Sequence, residues 1–524
     1  MTARIGRRGL LAGACATLVA PALQACLRNA DRPPVAAPAA GGPITASSGR
    51  LRVAQGTDPA GLNPLLQTGL VEASVYGNVF DALVSLDAEG RLQPGLAETW
   101  QARDERTWVF TLRRGVSFHD GEPFDAQSVR FTIEQMLEPT VASPIRAQIG
   151  AIERVETPDP HTAVIVTQRP FAPLLAELTG LMLLPPTYTA RVGPAGLASQ
   201  PVGTGPFRFA ERVKDDRIVL EADRQHWRGQ PLIERLEFRP VPDTASRQAA
   251  VRTGQVDLAT NVPHEQVAIL ERDGVEVATR PGIQALYIRL NMRKPPLDDL
   301  RVRQAIAHAV DLDQLIATVY GGRARRLNGP YPSEVFAYDV DAPHQTYDPE
   351  RARSLLRAAG VGGDTTLVFE TPRGRYPKDD QLVQAVAAYL AEVGLQVRVQ
   401  VVDWAAYLEK VQAGQGEHLF LLAGTNRTFD PHFTIARLYA SASPFGRAYY
   451  GNPEIDGLAE RAAATLNPEQ RRGLYHQILQ ILRADVPAIW IAQLDDLYAV
   501  RAGVSWRPRA DSLLWLHGTS LRAT

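Results

Sequence analysis

The stretch NMRKPPLDDLRVRQAIAHAVD, residues 291–311, joins two kinds of secondary structure. It begins at the end of the alternating run YIRLNM (287–292), which is typical of a strand, and it finishes with apolar residues at helical spacing. Between them, the Pro-Pro pair at 295–296 stiffens the backbone, and Asp298 or Asp299 can cap a helix. The sequence therefore predicts a strand, a rigid break and a newly capped helix past the midpoint of the chain.

Length and composition limit the class of protein. The chain has 524 residues, 45% of them hydrophobic, so it can bury a sizeable core and divide into two or three domains. Its 56 basic and 57 acidic residues give a formal net charge of −1, which predicts neither a nucleic-acid partner nor a polybasic membrane surface. Both cysteines, Cys15 and Cys26, lie near the N-terminus. The remaining chain has no thiol for disulfides, metal ligation or nucleophilic catalysis.

The N-terminus has the order of a secretory signal. Several arginines in the first eight residues precede an apolar run at 10–22 and the small-residue segment LQAC at 23–26. The apolar run is too short for a permanent membrane-spanning helix, which needs about 20 residues. We therefore predict a signal peptide at 1–25. GRRGLLAG (6–13) resembles a twin-arginine export signal, and general secretion is the alternative.

The segment LQAC also resembles a bacterial lipobox. This resemblance implies that Cys26 becomes the lipid-modified first residue of the mature protein; the alternative is an ordinary signal that ends in a cysteine. Residues 26–49 are rich in Pro, Ala, Gly and Ser and lack apolar periodicity, as expected of a linker. We expect a periplasmic protein that contacts the membrane only through a lipid anchor.

The body of the chain alternates strand and helix patterns. Residues 108–112 and 395–402 alternate as strands do, HDG at 119–121 predicts a turn, and Asp125 and Asp348 are placed to cap helices. A further helix is predicted after NPEQ at 467–470, with Gln470 able to complete a capping box. This alternation indicates α/β layers.

Two motifs could suggest a metal-binding or phosphate-binding site, but the sequence supports neither. His119 lies beside Asp120, but the histidines of the chain are scattered, so we expect a turn here and no metal or cofactor anywhere. The loop PVGTGPFRF (201–209) requires a sharp turn or a close approach of the backbone. It lacks the ending of a phosphate-binding loop.

Familiar catalytic motifs are missing from the sequence. It contains no Gly-x-Ser-x-Gly elbow, no His-Glu-x-x-His, no Walker lysine loop and no dinucleotide fingerprint. We therefore expect that the protein is not an enzyme. Carboxylates brought together from distant positions leave no local spacing, so a secreted hydrolase with carboxylates in a cleft stays open as an alternative.

Several long segments resemble one family. They are residues 80–134, PVGTGPFRF, the stretch 291–311, YDPERARSLLRAAG (347–360) and PEQRRGLYHQILQILRADVPAIWI (468–491). From about residue 51 to the C-terminus the chain resembles the peptide-type (dipeptide and oligopeptide, family 5) extracellular solute-binding proteins of bacterial ABC importers.

The resemblance implies a two-lobed α/β fold of the periplasmic-binding-protein type (class II, large peptide-receptor form), with the ligand cleft between the lobes. The first lobe is expected at 50–288 plus 490–524, and the second at 289–489. The stretch 291–311 would then lead from the first lobe into the second.

The resemblance also implies a function. We expect a monomeric extracytoplasmic receptor that captures a peptide or peptide-like molecule, closes around it and delivers it to the permease subunits of an ABC transporter. A receptor for an acidic non-peptide solute, such as an opine-like conjugate or a sugar phosphate, is the alternative. A sensor that presents its closed form to a membrane protein also stays open.

Five residues are the candidates for ligand binding. In this family a second-lobe arginine meets the peptide carboxylate and an aspartate meets the amine. Arg375, in TPRGRYPKD (371–379), is placed nearest the arginine position, with a surface arginine as the alternative. Trp404 resembles a pocket-lining tryptophan, with core packing as the alternative.

The other three candidates lie in AGTNRTFDPHF (423–433). Aligned through its proline, this segment places Arg427 where the amine-binding aspartate is expected, and an arginine cannot accept a hydrogen bond from an ammonium group. Asp430 could take that role instead, and Asn426 completes the set. The substitution disfavours a simple dipeptide and favours an acidic or blocked ligand.

Overall fold

The structure is a computed structural model that describes residues 49–522. Cys15, Cys26, the predicted signal peptide and the linker up to residue 48 lie outside the described residues. In the described part, none of the helices combines the length and the apolarity needed to cross a membrane.

Strands and helices alternate along the described chain. The strands are β1 (Arg50–Gln55), β2 (Val84–Leu86), β3 (Leu92–Pro94), β4 (Ala97–Ala102), β5 (Thr107–Leu112), β6 (Ile152–Asp159), β7 (Thr162–Thr167), β8 (Phe207–Val213), β9 (Arg217–Ala222), β10 (Arg235–Pro240), β11 (Leu258–Ala259), β12 (Glu276–Leu290), β13 (Ala324–Arg326), β14 (Thr366–Pro372), β15 (Gln396–Val402), β16 (Leu419–Thr425), β17 (Ala488–Val500), β18 (Val504–Ser505) and β19 (Ser520–Leu521).

The α-helices are α1 (Leu70–Tyr76), α2 (Ala126–Leu137), α3 (Arg146–Ile149), α4 (Leu174–Leu178), α5 (Pro186–Ser199), α6 (Thr244–Arg252), α7 (Val267–Arg272), α8 (Leu300–Ala309), α9 (Leu312–Tyr320), α10 (Pro349–Ala358), α11 (Asp379–Glu392), α12 (Trp404–Gln412), α13 (Pro431–Leu438), α14 (Pro444–Tyr449), α15 (Pro453–Ala464) and α16 (Pro468–Asp485). Short 3-10 helices lie at Pro139–Val141 and His264–Gln266.

One eleven-stranded sheet runs through both halves of the molecule. Its order is β15-β14-β16-β12-β17-β11-β1-β10-β9-β8, and β13 pairs with β17. The long strands β12 and β17 lie antiparallel at its centre, where residues 276–281 pair with 495–500 and residues 285–289 pair with 488–493. The ladder is interrupted between Pro281 and Ala285. These two strands therefore cross from one half of the sheet to the other.

The interruption of this ladder provides a natural division. We define lobe I as residues 49–281 and 495–522, and lobe II as residues 282–494. The boundaries predicted from the sequence, at 288/289 and 489/490, fall inside β12 and β17 and stay a prediction. The mixed α/β fold with two lobes agrees with the predicted fold class.

Each lobe has its own apolar core. The largest core cluster draws almost all its members from lobe I, including side chains of the four-stranded sheet β4-β5-β7-β6 and of the C-terminal residues 498–516. Two further clusters lie on opposite faces of the lobe II part of the large sheet. Because neighbouring residues of β12 alternate between these two clusters, the lobe II part of β12, residues 285–290, is buried on both faces.

The stretch 291–311 forms the predicted break and helix. β12 ends at Leu290, and Asp299 caps α8 by accepting a hydrogen bond from the Arg301 backbone N–H at 2.8 Å. The Arg301 guanidinium pairs with the Asp299 carboxylate. The Arg303 guanidinium donates instead to backbone carbonyls, including that of Asp485 at 2.8 Å.

The other predicted N-caps, and the predicted strand and loop, agree with the structure. Strand 108–112 is part of β5, and Asp125 caps α2 within a capping box. Asp348 and Asn467 cap α10 and α16. The loop 201–209 approaches another backbone closely, since a Cβ added to either of its glycines would lie within 2.5 Å of a backbone atom of Val79. Glycine is therefore required there.

Candidate functional site

A cavity of about 580 Å³ lies between the two lobes. Its wall in lobe I comes from α1 and the loop after it, from residues 144–182, and from the C-terminal residues 509–515. Its wall in lobe II comes from residues 425–437, where β16 ends and α13 begins. Both lobes therefore contribute side chains to one cavity.

The lobes contact each other around this cavity. The backbone N–H of Ala172 in lobe I donates to the carbonyl oxygen of Ala463 in lobe II at 2.7 Å. The Phe171 ring packs edge-on against His432, with 5.3 Å between ring centroids. Phe429 of lobe II packs in a small apolar cluster with Leu86 of lobe I. The structure therefore shows the closed arrangement of the lobes.

The topology explains why lobe II presents its loops at the cavity. Strands β15, β14 and β16 are neighbours, and β14 runs parallel to both of the others. Their carboxyl ends, at Val402, Pro372 and Thr425, therefore lie at one edge of the sheet, which is where open α/β sheets bind ligands. All five residues predicted to bind the ligand follow these three ends.

Two of these residues shape the turn between β16 and α13. The Asn426 side-chain amide donates to the Asp430 carbonyl oxygen at 2.8 Å and to Thr434 Oγ1 at 3.1 Å. Its Oδ1 accepts from Thr428 Oγ1 at 3.0 Å. Asp430 caps α13 by accepting from the His432 backbone N–H. Asn426 and Asp430 thus use their polar atoms within lobe II, and neither side chain lines the cavity.

Asp430 also forms a buried ion pair. Its two carboxylate oxygens accept hydrogen bonds from the Arg471 guanidinium at 2.6 and 2.7 Å. Burial acts to raise the pKa of Asp430, but Arg471 outweighs it and holds that pKa below its ordinary value. In this geometry the carboxylate is committed to Arg471, so it does not face a ligand amine.

Arg375 and Trp404 lie together, away from the wall of the cavity. The Arg375 guanidinium stacks over the Trp404 ring at 4.8 Å from its centroid. Trp404 in turn stacks with Tyr407, with 6.1 Å between ring centroids. Arg427, by contrast, lines the cavity and lies beside the Tyr76 phenol of lobe I. A ligand-binding role for the five residues stays a prediction, and this geometry favours Arg427.

Further charged residues of the cavity were not found from the sequence. Arg437 lies on α13 four residues after Phe433, so helical spacing could have indicated that both face the same way. Arg169, Glu177 and Arg228 come from separate loops and helices of lobe I. No local spacing links these three, because only the fold brings them together.

Arg228 is held between two aromatic rings. Its guanidinium lies 4.4 Å from the centroid of Trp227 and 5.1 Å from that of Trp515. It donates to Ser85 Oγ at 3.0 Å. Burial lowers the pKa of Arg228, but a guanidinium has so high a pKa that it stays charged. The stacking fixes the direction of this cation.

The cavity has more cations than available anions. Arg509 and Asp511 neutralise each other through a bidentate pair. Within residues 49–522, no carboxylate lies within 4.0 Å of the guanidinium nitrogens of four cavity arginines, which are Arg169, Arg228, Arg427 and Arg437. The cavity is therefore suited to an anionic ligand.

Two other titratable groups in the cavity wall are satisfied or neutral. Asp81 Oδ2 accepts hydrogen bonds from Trp227 Nε1 at 2.9 Å and Thr204 Oγ1 at 3.1 Å. Burial acts to raise the pKa of Asp81, but bonding to His226 and Trp227 holds it below its ordinary value. Burial lowers the pKa of His432 to about 4, so this imidazole is neutral at pH 7.

Two lobes, crossing strands and a ligand-sized cavity at the closed interface define a solute-binding receptor. Residues 91–445 match the family model described as bacterial extracellular solute-binding proteins, family 5 Middle. The chain belongs to this family. Its members are receptors of ABC importers rather than enzymes, so the protein is an extracytoplasmic solute-binding receptor.

Individual relatives match along most of the chain. The glutathione-binding protein GsiB of Pectobacterium atrosepticum is 29% identical over 455 residues, covering 84% of this chain and 88% of its own. The probable di/tripeptide-binding protein 5 of Pseudomonas aeruginosa is 30% identical over 479 residues, covering 85% and 90%. The structure of the Helicobacter pylori periplasmic binding protein DppA in complex with the peptide STSA superposes with a TM-score of 0.79 at 26% identity, covering 90% and 98%.

Proposed function

We propose that this receptor captures a short peptide, or a peptide-like molecule, that carries at least two carboxylates, and delivers it to an ABC permease. The names of the relatives support the peptide class, since they include glutathione-binding and di/tripeptide-binding proteins. The volume of the cavity, about 580 Å³, lies within the range of about 300–1,000 Å³ that small-molecule pockets occupy.

The observation that carries this proposal is the set of four cavity arginines without carboxylate partners in the described chain. A guanidinium removed from water loses hydration, and a carboxylate bound through two hydrogen bonds compensates best for that loss. Arg169 and Arg228 belong to lobe I, and Arg427 and Arg437 to lobe II. A ligand with separated carboxylates can therefore contact both lobes at once.

Contact with both lobes explains how binding produces closure. A ligand shifts an equilibrium between conformations only as far as it binds one of them better. Carboxylates that bridge Arg228 and Arg427 are held by both arginines only in the closed arrangement. The closed form is then the state that the permease receives.

A ligand screen tests the substrate class. Melting temperature is measured with the neutral dipeptide Ala-Ala, with glutathione and Ala-Glu, and with an opine-like conjugate and a sugar phosphate. We expect the acidic peptides to raise it most, because a ligand that binds the native state stabilises it. A stronger response to the conjugate or the phosphate would instead support an acidic non-peptide solute as the ligand. A response to Ala-Ala alone would refute it.

Two arginine variants test the position of the carboxylate site. Arg427→Gln should weaken binding of the best acidic peptide about ten- to a hundredfold, because hydrogen bonds between charged groups contribute roughly 1.5–3 kcal/mol. Arg375→Gln is the matched control and should bind nearly as the wild type does. Calorimetric titration measures both affinities. The reverse order would support Arg375 as the ligand-binding arginine.

The attachment to the membrane is a separate proposal. Cys26 carries a lipid, and residues 27–49 act as a tether for the globular part, as the lipobox-like LQAC segment suggests. The receptor is then held at the outer face of a membrane, near its permease. Cys26→Ser should move the mature protein from the membrane fraction to the soluble fraction of cells. An unchanged distribution would refute the anchor.

A further inference from the structure

Glu177 is a buried acid in the wall of the cavity. It lies on α4 of lobe I, and the residue is 2% exposed. Its Oε2 is shielded from solvent and has no hydrogen-bond partner among the described residues. A carboxyl group that lacks both water and a partner is costly in its ionised form. Its position at the cavity therefore calls for an explanation.

The other carboxylates in this region already have partners. Asp511 forms a bidentate pair with Arg509, and Asp81 accepts from three neighbouring side chains. Asp430 lies behind the cavity wall, paired with Arg471. In the described chain, no cationic nitrogen lies within 4.0 Å of the Glu177 carboxyl. Glu177 is thus the acid of the cavity wall that can receive a cation from outside.

In the closed arrangement, the surroundings of Glu177 favour its protonated form. Burial raises the pKa of Glu177 well above its ordinary value, and the charge of Asp430 adds to this effect. The more distant Arg471 and Arg437 oppose it. All of these groups, together with the Tyr475 hydroxyl, face Glu177 from lobe II.

We propose that Glu177 binds the positively charged amino group of the ligand. This inference rests on the proposed function and narrows it: the ligand carries a free amine as well as its carboxylates. The arginines hold the carboxylates, and an ammonium group fits beside the cavity acid that lacks a cation. Glu177 belongs to lobe I and its charged neighbours to lobe II, so the amine would be enclosed at the interface between them.

Where Glu177 is protonated before the amine arrives, binding of the amine releases one proton. The ligand enters as an ammonium ion, the Glu177 carboxyl gives its proton to the solvent, and an N–H donor of the ammonium meets the resulting carboxylate. Linkage requires that the affinity rises with pH while the free protein is protonated at Glu177 and the complex is not. The rise can reach tenfold per pH unit. It ends where the ligand amine itself loses its proton, near pH 8 for an α-amino group.

The experiment compares free and blocked amines in matched variants. Glutathione and Ala-Glu, each with its N-acetylated form, are titrated by calorimetry at pH 6.5 in two buffers of different ionisation enthalpy. The proteins are the wild type, Glu177→Gln and Glu134→Gln. Glu134 is an exposed acid of α2 outside the cavity, so Glu134→Gln makes the same chemical change away from the ligand. The melting temperature of ligand-free Glu177→Gln should equal or exceed that of the wild type, because an amide avoids burying a carboxyl group that has no cationic partner.

For the wild type and Glu134→Gln, we expect release of about one proton and at least tenfold weaker binding of the acetylated peptides. Glu177→Gln should lose the proton release and most of the preference for the free amine. If it keeps both, Glu177 does not bind the amine, although the acidic-peptide receptor stands. If no acidic peptide binds the wild type, the proposed function fails and this inference fails with it.

Discussion

Asp430 shows how a single residue can satisfy a sequence motif and still take a different role. From the sequence, its position after Arg427 made it a candidate for binding an amine. In the structure it caps α13 and pairs with Arg471, a residue 41 positions later. The cap lies within the motif, since His432 belongs to it, but the partner of the ion pair arrives through the packing of α16. The motif identified the loop at the cavity, but the fold determines that the Asp430 carboxylate pairs with Arg471.

Removing Arg471 should therefore destabilise the protein strongly. Arg471→Met leaves the Asp430 carboxylate buried and unpaired, and breaking such pairs typically costs about 3–5 kcal/mol of unfolding free energy. Urea denaturation of the two proteins measures this difference. Arg472→Met is the matched control, because Arg472 also stacks on Phe336 but its side chain is 41% exposed and pairs only with the exposed Glu469. It should cost less than about 1 kcal/mol. Equal losses in both variants would mean that the ion pair contributes no special stability.

Helices and strands were more predictable than side-chain roles. Strand β5 follows period-two alternation, and α2, α8, α10 and α16 begin at capping residues that the sequence marks clearly. These features depend on contacts within a few residues, so local patterns are sufficient to identify them. The β12–β17 pairing joins segments about 200 residues apart. Their crossing of the two lobes was predicted only through the family resemblance.

The interruption in the β12–β17 pairing shows what the sequence leaves open about a strand, namely which group the strand approaches. Gly282 lies where the ladder between β12 and β17 breaks, and a Cβ there would lie 2.7 Å from Asp496 Oδ1. The sequence shows a glycine in a strand pattern, which indicates a bulge or a close approach without saying to what. The structure shows that this neighbour is Asp496. The sequence also could not place Arg169 and Arg228 of lobe I at one cavity, because their proximity depends on the arrangement of several loops.

Closure is a property of the whole molecule, and one turn in lobe I offers a way to test it. Gly90 has a φ of +81°, and a Cβ there would meet the Phe429 ring of lobe II at 2.9 Å. Gly121 also lies in a lobe I turn, at a φ of +93°, and apart from its two chain neighbours no described residue has an atom within 4 Å of such a Cβ. A side chain introduced at either position would be strained by the positive φ, but of the two glycines only Gly90 approaches the opposite lobe.

Gly90→Leu should hinder closure, and Gly121→Leu should not. Both variants place a side chain at positive φ, so both should lose about 1–2 kcal/mol of stability. In Gly90→Leu the added side chain must also displace Phe429 whenever the lobes meet. Because the apparent affinity falls with the fraction of closure-competent protein, this variant alone should bind the best acidic peptide more weakly. Small-angle scattering should show that the peptide reduces the radius of gyration of the wild type and of Gly121→Leu, but reduces that of Gly90→Leu less. Equal compaction and affinity in the two variants would mean that the contact between Gly90 and Phe429 does not accompany ligand capture.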